Sequence, residues 1–459
     1  MDKSETRNEG SLILLGLEKN KKEMIRELFL PVILFSTIGA FYWAIRGSSG
    51  YGGSSGATFT GLGWALAWFF LSHESSEEKS RPYSLGWIVL AITLGIGIGG
   101  MHGYGQFISW IRGEFRIDGT DITTSINPII GYLWLFQCGL AWGGTAGVFM
   151  AWCGSKKPPK KKDWGFRILF GIAGALIGYL ITVIFPGLIN PLYDTVDYFN
   201  CPDCERTLST SQSSMILLWI FLALLFYEFL RKEWRGVLLT ITMALGFGLG
   251  FSIFAFWHYG YEVAGINLDW WKFWEMSIGF IGGMTFGICY YLYNRPFGKK
   301  DIHLVRVQPY SKHKKAERIL GIELTIFIAL SWSFYNGIGG FLSNFICDKE
   351  GCTPAQNELV NSSRLIYSIP IITSLLFLFI LFLYKTYKKP FNPNDGRIII
   401  KKPALRFLII HSVLVTLGYM VTFNSEMSCG SWLLIWIYTF LLIIGLISFL
   451  ILFKIKSKT

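Results

Sequence analysis

Six titratable residues sit in glycine- and aromatic-rich company near the ends of apolar runs. They are Arg46 in "YWAIRG", His102 in "MHGYGQ", Arg112 and Glu114 in "IRGEF", and His258 and Glu262 in "WHYGYE". Ionisable groups at membrane depth are costly, and they commonly mark a substrate pathway or a binding site. Two kinds of chemistry follow. Arginine presents a planar fork of donors that matches a carboxylate or a phosphate. Arg46 also runs directly into "GSSGYGGSSG", whose backbone amides beside a helix start would favour the same anion. Histidine changes charge near neutrality, so His102 or His258 could serve as a general base with Glu114 or Glu262 as its partner. Tyr51 and Tyr104 add hydroxyls for a polar solute. The candidate substrate-binding set is therefore Arg46, Tyr51, His102, Tyr104, Arg112, Glu114, His258 and Glu262. The competing reading of each is interfacial, because arginine snorkels to lipid phosphate and aromatic residues gather at membrane surfaces.

Cofactor chemistry finds little support. Gly95, Gly97 and Gly100 match a dinucleotide pattern literally, but no strand precedes them, and "GSSGYGGSSG" lacks the lysine of a phosphate-binding loop. No cofactor and no metal is expected. Cys201 and Cys204 in "CPDC" and Cys347 and Cys352 in "CDKEGC" fall with Cys429 in loops expected to face an oxidising compartment. Structural disulfides lead, as Cys201 with Cys204 and Cys347 with Cys352, or cross-paired between the two loops. A zinc site would need four ligands close together.

The elements that must hold these residues are membrane helices. The chain is 52% hydrophobic and only 16% charged, with a mean hydropathy of +0.43, against about 25% charged in ordinary soluble domains. Apolar windows fall at 28–45, 57–72, 85–110, 128–153, 165–186, 215–230, 236–257, 273–294, 319–336, 364–384, 407–423 and 431–453. The fold class expected is an all-α polytopic integral membrane protein with about 12 transmembrane helices. The first 25 residues are polar, with no apolar stretch ahead of a small-residue cleavage site, so the first span is expected to act as its own insertion signal. Four regions follow: a cytoplasmic N-terminal segment at 1–27, a glycine-rich core of about eight helices at 28–294, a basic cytoplasmic linker at 295–318, and about four further helices with a short basic tail at 319–459. Glu323, near the start of the ninth span, is expected to pair with Arg318 or a lipid headgroup.

A net charge of +12 suggests nucleic acid until the charges are placed. With alternating spans and a cytoplasmic N-terminus, 35 of the 42 lysines and arginines fall in inner segments. That bias is the positive-inside pattern of a protein with both termini cytoplasmic, and it accounts for "KKPPKKK" without RNA. No basic run is interleaved with base-stacking aromatics. The expected partners are the lipid bilayer of the cell (inner) membrane and a small polar or anionic solute, with no nucleic acid.

Within the core, "GLAWGGTAG" and "GFIGGMTFG" share Gly139, Gly143, Thr145 and Gly147 with Gly279, Gly283, Thr285 and Gly287 at one constant offset. Each follows a glycine ladder, "LGIGIGG" or "LGFGLG", that runs into a histidine and tyrosine segment. Spans three and four therefore read as a copy of spans seven and eight, and "YWAIRGSSGYGG" with "GLGWALAW" as a weaker third hairpin. Parallel repeats of this sort occur in secondary transporters. Glycines four apart form a stripe on which another backbone can lie. Gly47 to Gly56 is expected to be a non-helical turn lining an outward cavity, since irregular backbone is tolerated only where protein or water serves its amides. Three functions fit: a transporter or channel for a small polar or anionic solute, a membrane-embedded transferase with a histidine base, and a non-catalytic scaffold. The spread of polar groups over many loops favours the first.

The charge bias generates a direct test. Cysteines introduced in 154–164, 295–318 and 385–406 should resist an impermeant thiol reagent in intact cells and react after permeabilisation. Labelling of those positions in intact cells would reverse the orientation.

Overall fold

A computed structural model describes residues 21–46, 53–73, 81–102, 104, 107–116, 123–154, 159–190, 205–262, 268–295, 314–347, 353–388, 401–423 and 429–458. Lipid leaves a backbone no partner but itself, which favours helices, and each apolar window lies on one. The long helices are α1 Leu30–Arg46, α2 Ser54–Ser72, α3 Trp87–Gly99, α4 Pro128–Cys153, α5 Lys161–Ile184, α6 Glu205–Leu230, α7 Trp234–Ile253, α8 Trp270–Tyr293, α9 Thr325–Ile346, α10 Pro354–Lys388, α11 Lys401–Phe423 and α12 Cys429–Lys458. Local chemistry sets several of their starts. Asn127 caps α4 by accepting from the Ile129 amide, with Pro128 at the first helical position, and Asp269 caps α8 by accepting from the Lys272 amide.

Three features bear on the expectation of an all-α membrane protein. Among the described residues, nine helices are long and apolar enough to cross a membrane. The three that fall short are α2, α3 and α11. Helix α2 is diluted by glycine, serine, threonine and tryptophan. Helix α3 has 13 residues, about 20 Å at the helical rise against about 30 Å of hydrocarbon. The fold is also not purely helical: β1 Glu114–Arg116 pairs antiparallel with β2 Thr123–Ser125, reached through a turn at Gly113 with φ of +81°. Finally, Ser54, Ser55 and Gly56 belong to α2, so the expected turn does not extend past Gly53, whose φ is +71°, and positions 47–52 lie outside the described residues.

The centre is built by three hairpins, α1–α2, α3–α4 and α7–α8, packed in a closed cycle. On α4, a Cβ at Gly143 would run into the Met243 carbonyl, and one at Gly147 would lie 2.7 Å from Thr240 Cα, both on α7. On α8, Gly283 meets the Phe35 carbonyl in the same way, and a Cβ at Gly287 would lie 2.5 Å from Val32 Cα on α1. Helix α2 completes the cycle against α3, where a Cβ at Gly61 would lie 3.1 Å from Thr93 Cα. Inside each hairpin an indole on the second helix donates to a carbonyl near the first: Trp64 to Phe35 at 3.1 Å, Trp142 to Ile96 at 2.8 Å and Trp274 to Phe251 at 3.1 Å.

The middle of the cycle is filled by rings. Trp43, Trp64, Trp68, Phe35, Phe247 and Phe286 are fully buried and contact one another in a chain. Helices α5 and α6 pack together outside the cycle, with Phe221 of α6 against Gly144 of α4. Helices α11 and α12 lie on α1 through Gly418 and Gly445, while α10 faces outward along nearly its whole length. Glu323 forms its ion pair with Arg406 of α11, not with Arg318, because α11 lies alongside the start of α9.

One end of the cycle is a polar knot whose buried charges are paired, although the buried Tyr83 hydroxyl within it has no hydrogen-bond partner. Arg81 pairs with Glu27 at 2.8 Å and donates to the Asn294 carbonyl at 3.0 Å. Lys456 donates to the Leu71 and His73 carbonyls, at 2.5 and 2.9 Å. The buried charges of this end thus have partners drawn from α2, α8, α12 and the turn before α1.

Replacing Gly143 or Gly283 with leucine should cost at least about 3 kcal/mol, because overpacking at a backbone contact cannot relax by a side-chain rotation. Gly165 has open space around it, and its leucine variant should keep wild-type yield and thermal stability in detergent. Equal stability of all three variants would place the two stripes away from any helix contact.

Candidate functional site

The opposite end of the cycle is where α1, α3 and α7 finish and α2, α4 and α8 begin. Arg46 is the last residue of α1 and is only 4% exposed. Its guanidinium carbon lies 5.2 Å from the Trp43 ring centre, 5.0 Å from Tyr104 and 4.7 Å from Trp142. One terminal nitrogen donates to the Tyr104 hydroxyl, and Nε has no hydrogen-bond partner. Among the described residues no carboxylate forms an ion pair with Arg46. The cation is held by π faces and one phenol.

His102 lies in the turn after α3, 2% exposed, with its ring edge-on to Trp142 at 5.1 Å. His258 lies in the 3₁₀ turn Phe254–Glu262 that follows α7, fully buried and edge-on to Trp274 at 4.9 Å. Both nitrogens of both rings lack hydrogen-bond partners. Tyr104 connects the two sides, tilted against Trp142 at 6.2 Å and edge-on to Trp274 at 5.4 Å. The imidazoles therefore belong to one aromatic box but are separated by its rings. Arg112 is half-buried with an unpartnered Nε. Its turn is brought to the 3₁₀ segment by Tyr259, whose hydroxyl donates to the Ile111 carbonyl at 2.5 Å.

The remaining candidates are Glu114, Tyr51 and Glu262. Glu114 is exposed on β1, Tyr51 lies outside the described residues, and only the backbone of Glu262 is described, at the end of the 3₁₀ turn. Cys347 is disulfide-bonded, while Cys201, Cys204 and Cys352 lie outside the described residues. Two groups of the site, Trp142 and Lys272, escaped the sequence reading. Trp142 forms the wall between Arg46 and His102. Lys272 pairs with Glu275 at 2.9 Å and donates to the Ala44 carbonyl at 3.0 Å, two residues from Arg46. The second oxygen of Glu275, a fully buried residue, has no hydrogen-bond partner. The usable signals were an indole set inside a glycine stripe and a lysine three residues before a glutamate on one helix face.

Chemically, the box offers a buried guanidinium without a counter-ion, two imidazoles with open nitrogens, and a lysine already neutralised by its neighbour. Polar atoms buried without partners are rare and call for a water, an ion or a ligand. No three His, Cys, Asp or Glu residues cluster to hold a metal among the described residues. No protein-family model matches the chain, and neither a curated protein nor a solved structure matches it.

Glu275→Gln leaves Lys272 without its buried partner and should destabilise the protein by about 3–5 kcal/mol, whereas replacing both with methionine should recover most of that loss. Thermal unfolding in detergent reads both. A single variant as stable as wild type would mean that the pair is solvated.

Proposed function

We propose that the chain is a multi-pass membrane transporter that binds a small anionic solute, a carboxylate or phosphate, at Arg46. The observation that carries this reading is the contrast between the two ends of one core. At the Arg81 end the buried charges are paired, whereas at the Arg46 end a guanidinium and two imidazoles are buried with unmet hydrogen-bonding capacity. An anion seated against Arg46 would satisfy its remaining donors bidentately, and His102 and Tyr104 lie within the same box.

The positive-inside bias supports twelve crossings, both termini in the cytoplasm and an outward-facing Arg46 end. Helix α2, with its diluted apolar character, and the short α3 cross as buried members of the cycle, shielded from lipid by their neighbours. The closed cycle, the matched glycine stripes of α4 and α8, and the indole bonds of Trp64 and Trp142, which hold the same place in "GLGWALAW" and "GLAWGGTAG", support copies of one hairpin. The rings packed along the centre favour a carrier over an open pore. The transferase reading has less behind it: neither imidazole is oriented by a carboxylate, and Glu114 stands on an exposed strand.

The test uses Arg46→Lys, which keeps the charge and loses the fork. Wild-type protein in detergent is screened for thermal stabilisation by small carboxylates, phosphates and neutral sugars. A binding anion should raise the unfolding midpoint, since about 2.7 kcal/mol is gained at a hundredfold excess over Kd. Affinity and uptake into proteoliposomes should both fall about tenfold or more in Arg46→Lys, the loss of one bidentate pair. An unchanged response in that variant, or stabilisation by neutral sugars alone, would remove Arg46 as the anion ligand.

A further inference from the structure

Outside the cycle, a second arginine is buried with most of its donors unused. Arg167, on the second turn of α5, is 2% exposed. Its guanidinium carbon lies 4.7 Å from the ring centres of both Trp152, near the end of α4, and Trp164 on α5. Nε donates to Glu228 of α6 at 2.7 Å, and the other oxygen of that carboxylate takes Arg231 at 2.9 Å. One carboxylate thus serves two guanidiniums. Both terminal nitrogens of Arg167 and the indole nitrogen of Trp152 are buried without an acceptor. The acidic neighbour Asp163 is engaged elsewhere, taking the Lys160 amide at 2.6 Å and the Tyr227 hydroxyl at 3.3 Å.

We propose that Arg167 and Trp152 form a phosphate-ester site, occupied by the headgroup phosphate of an anionic phospholipid. The missing acceptor must offer more than one oxygen to a guanidinium fork and an indole N–H together, which a phosphate does and a single water does not. The surroundings select a lipid. Trp164, Phe166, Ile168 and Leu169 of α5 and Phe229 and Leu230 of α6 present apolar surface outward beside the arginine, where acyl chains would lie. The adjoining "KKPPKKK" segment supplies the basic field that draws anionic headgroups to a membrane surface. Trp164 is the wall nearest the lipid, 43% exposed, and would turn outward to admit the phosphate. The site is independent of the Arg46 reading.

Full-length protein equilibrated with phosphatidylglycerol or with phosphatidylcholine is released into the gas phase, and bound lipid is counted by native mass spectrometry. In parallel, indole fluorescence is titrated with inorganic phosphate. Wild type should retain phosphatidylglycerol in preference to phosphatidylcholine. Arg167→Lys keeps the charge beside Glu228 and loses the fork, and should retain about tenfold less. The variant Arg167→Gln leaves Glu228 paired with Arg231, should fold, and should retain none. A phosphate-dependent fluorescence change in wild type that is absent from Arg167→Lys, without lipid retention, would keep the phosphate site and make free phosphate its source. Equal retention by wild type and both variants, or no response to either probe, would overturn the proposal.

Discussion

Helices in lipid are not driven together by their apolar surfaces, because the surrounding chains are as apolar as they are. What draws the core of this protein together is backbone lying on backbone: α4 on α7 through Gly139, Gly143 and Gly147, and α8 on α1 through Gly279, Gly283 and Gly287. At such contacts many weak dispersion terms are collected at once, and a single added side chain would hold the helices apart. The third contact, α2 on α3 through Gly61, closes the cycle. Closure then fixes what lies inside. Six large rings fill the middle, so the core has a packed centre rather than a lumen.

The same closure explains why chemistry concentrates at one end. Arg46 gains from its three rings, with each cation–π contact worth about 0.5–2 kcal/mol. Removing an unpaired charge from water costs several kcal/mol even after relaxation. The two sums are of similar size, so the rings can hold the guanidinium in place without using up its hydrogen-bonding capacity. Such a balance is what the proposed anion site would need, a guanidinium that stays in place while donors remain open. At the Arg81 end the balance differs, because Glu27, the Asn294 carbonyl and the α2 carbonyls supply acceptors from the chain itself.

Much of this is legible in the residues alone. Helix positions follow from hydropathy, and the two glycine stripes declare themselves by a constant offset. Arg46 stands out as a charge between an aromatic helix end and a glycine run. What is not legible depends on neighbours distant in sequence. Trp142 reads as one more interfacial tryptophan until α3 places the Ile96 carbonyl beside its indole nitrogen. Glu323 has Arg318 close in sequence, but α11 brings Arg406 to it. Ser54 to Gly56 look like a linker, yet Ser55 and Gly56 are buried within the cycle, and a buried backbone closes its own hydrogen bonds as helix. The placement of α5 and α6 outside the cycle could not be read either, because their composition resembles that of the helices within it.

The two kinds of contact in the core also differ in how they would yield. Within a hairpin, an indole donates to a specific carbonyl, a directional bond that resists sliding. Between hairpins, the stripe contacts are glycine against backbone, and the hydrogen bonds that cross lie towards the helix ends, from Ser252 to the Tyr132 carbonyl, Lys272 to the Ala44 carbonyl and Tyr290 to the Leu71 carbonyl. If the chain carries a solute from Arg46 as proposed, the rings along the centre must separate, and a separation that moves whole hairpins against one another would let each keep its own indole bond. Such rigid-body rocking about a fixed site is how repeat-built carriers alternate access. The glycine stripes that assemble the core are therefore also the surfaces on which it would move.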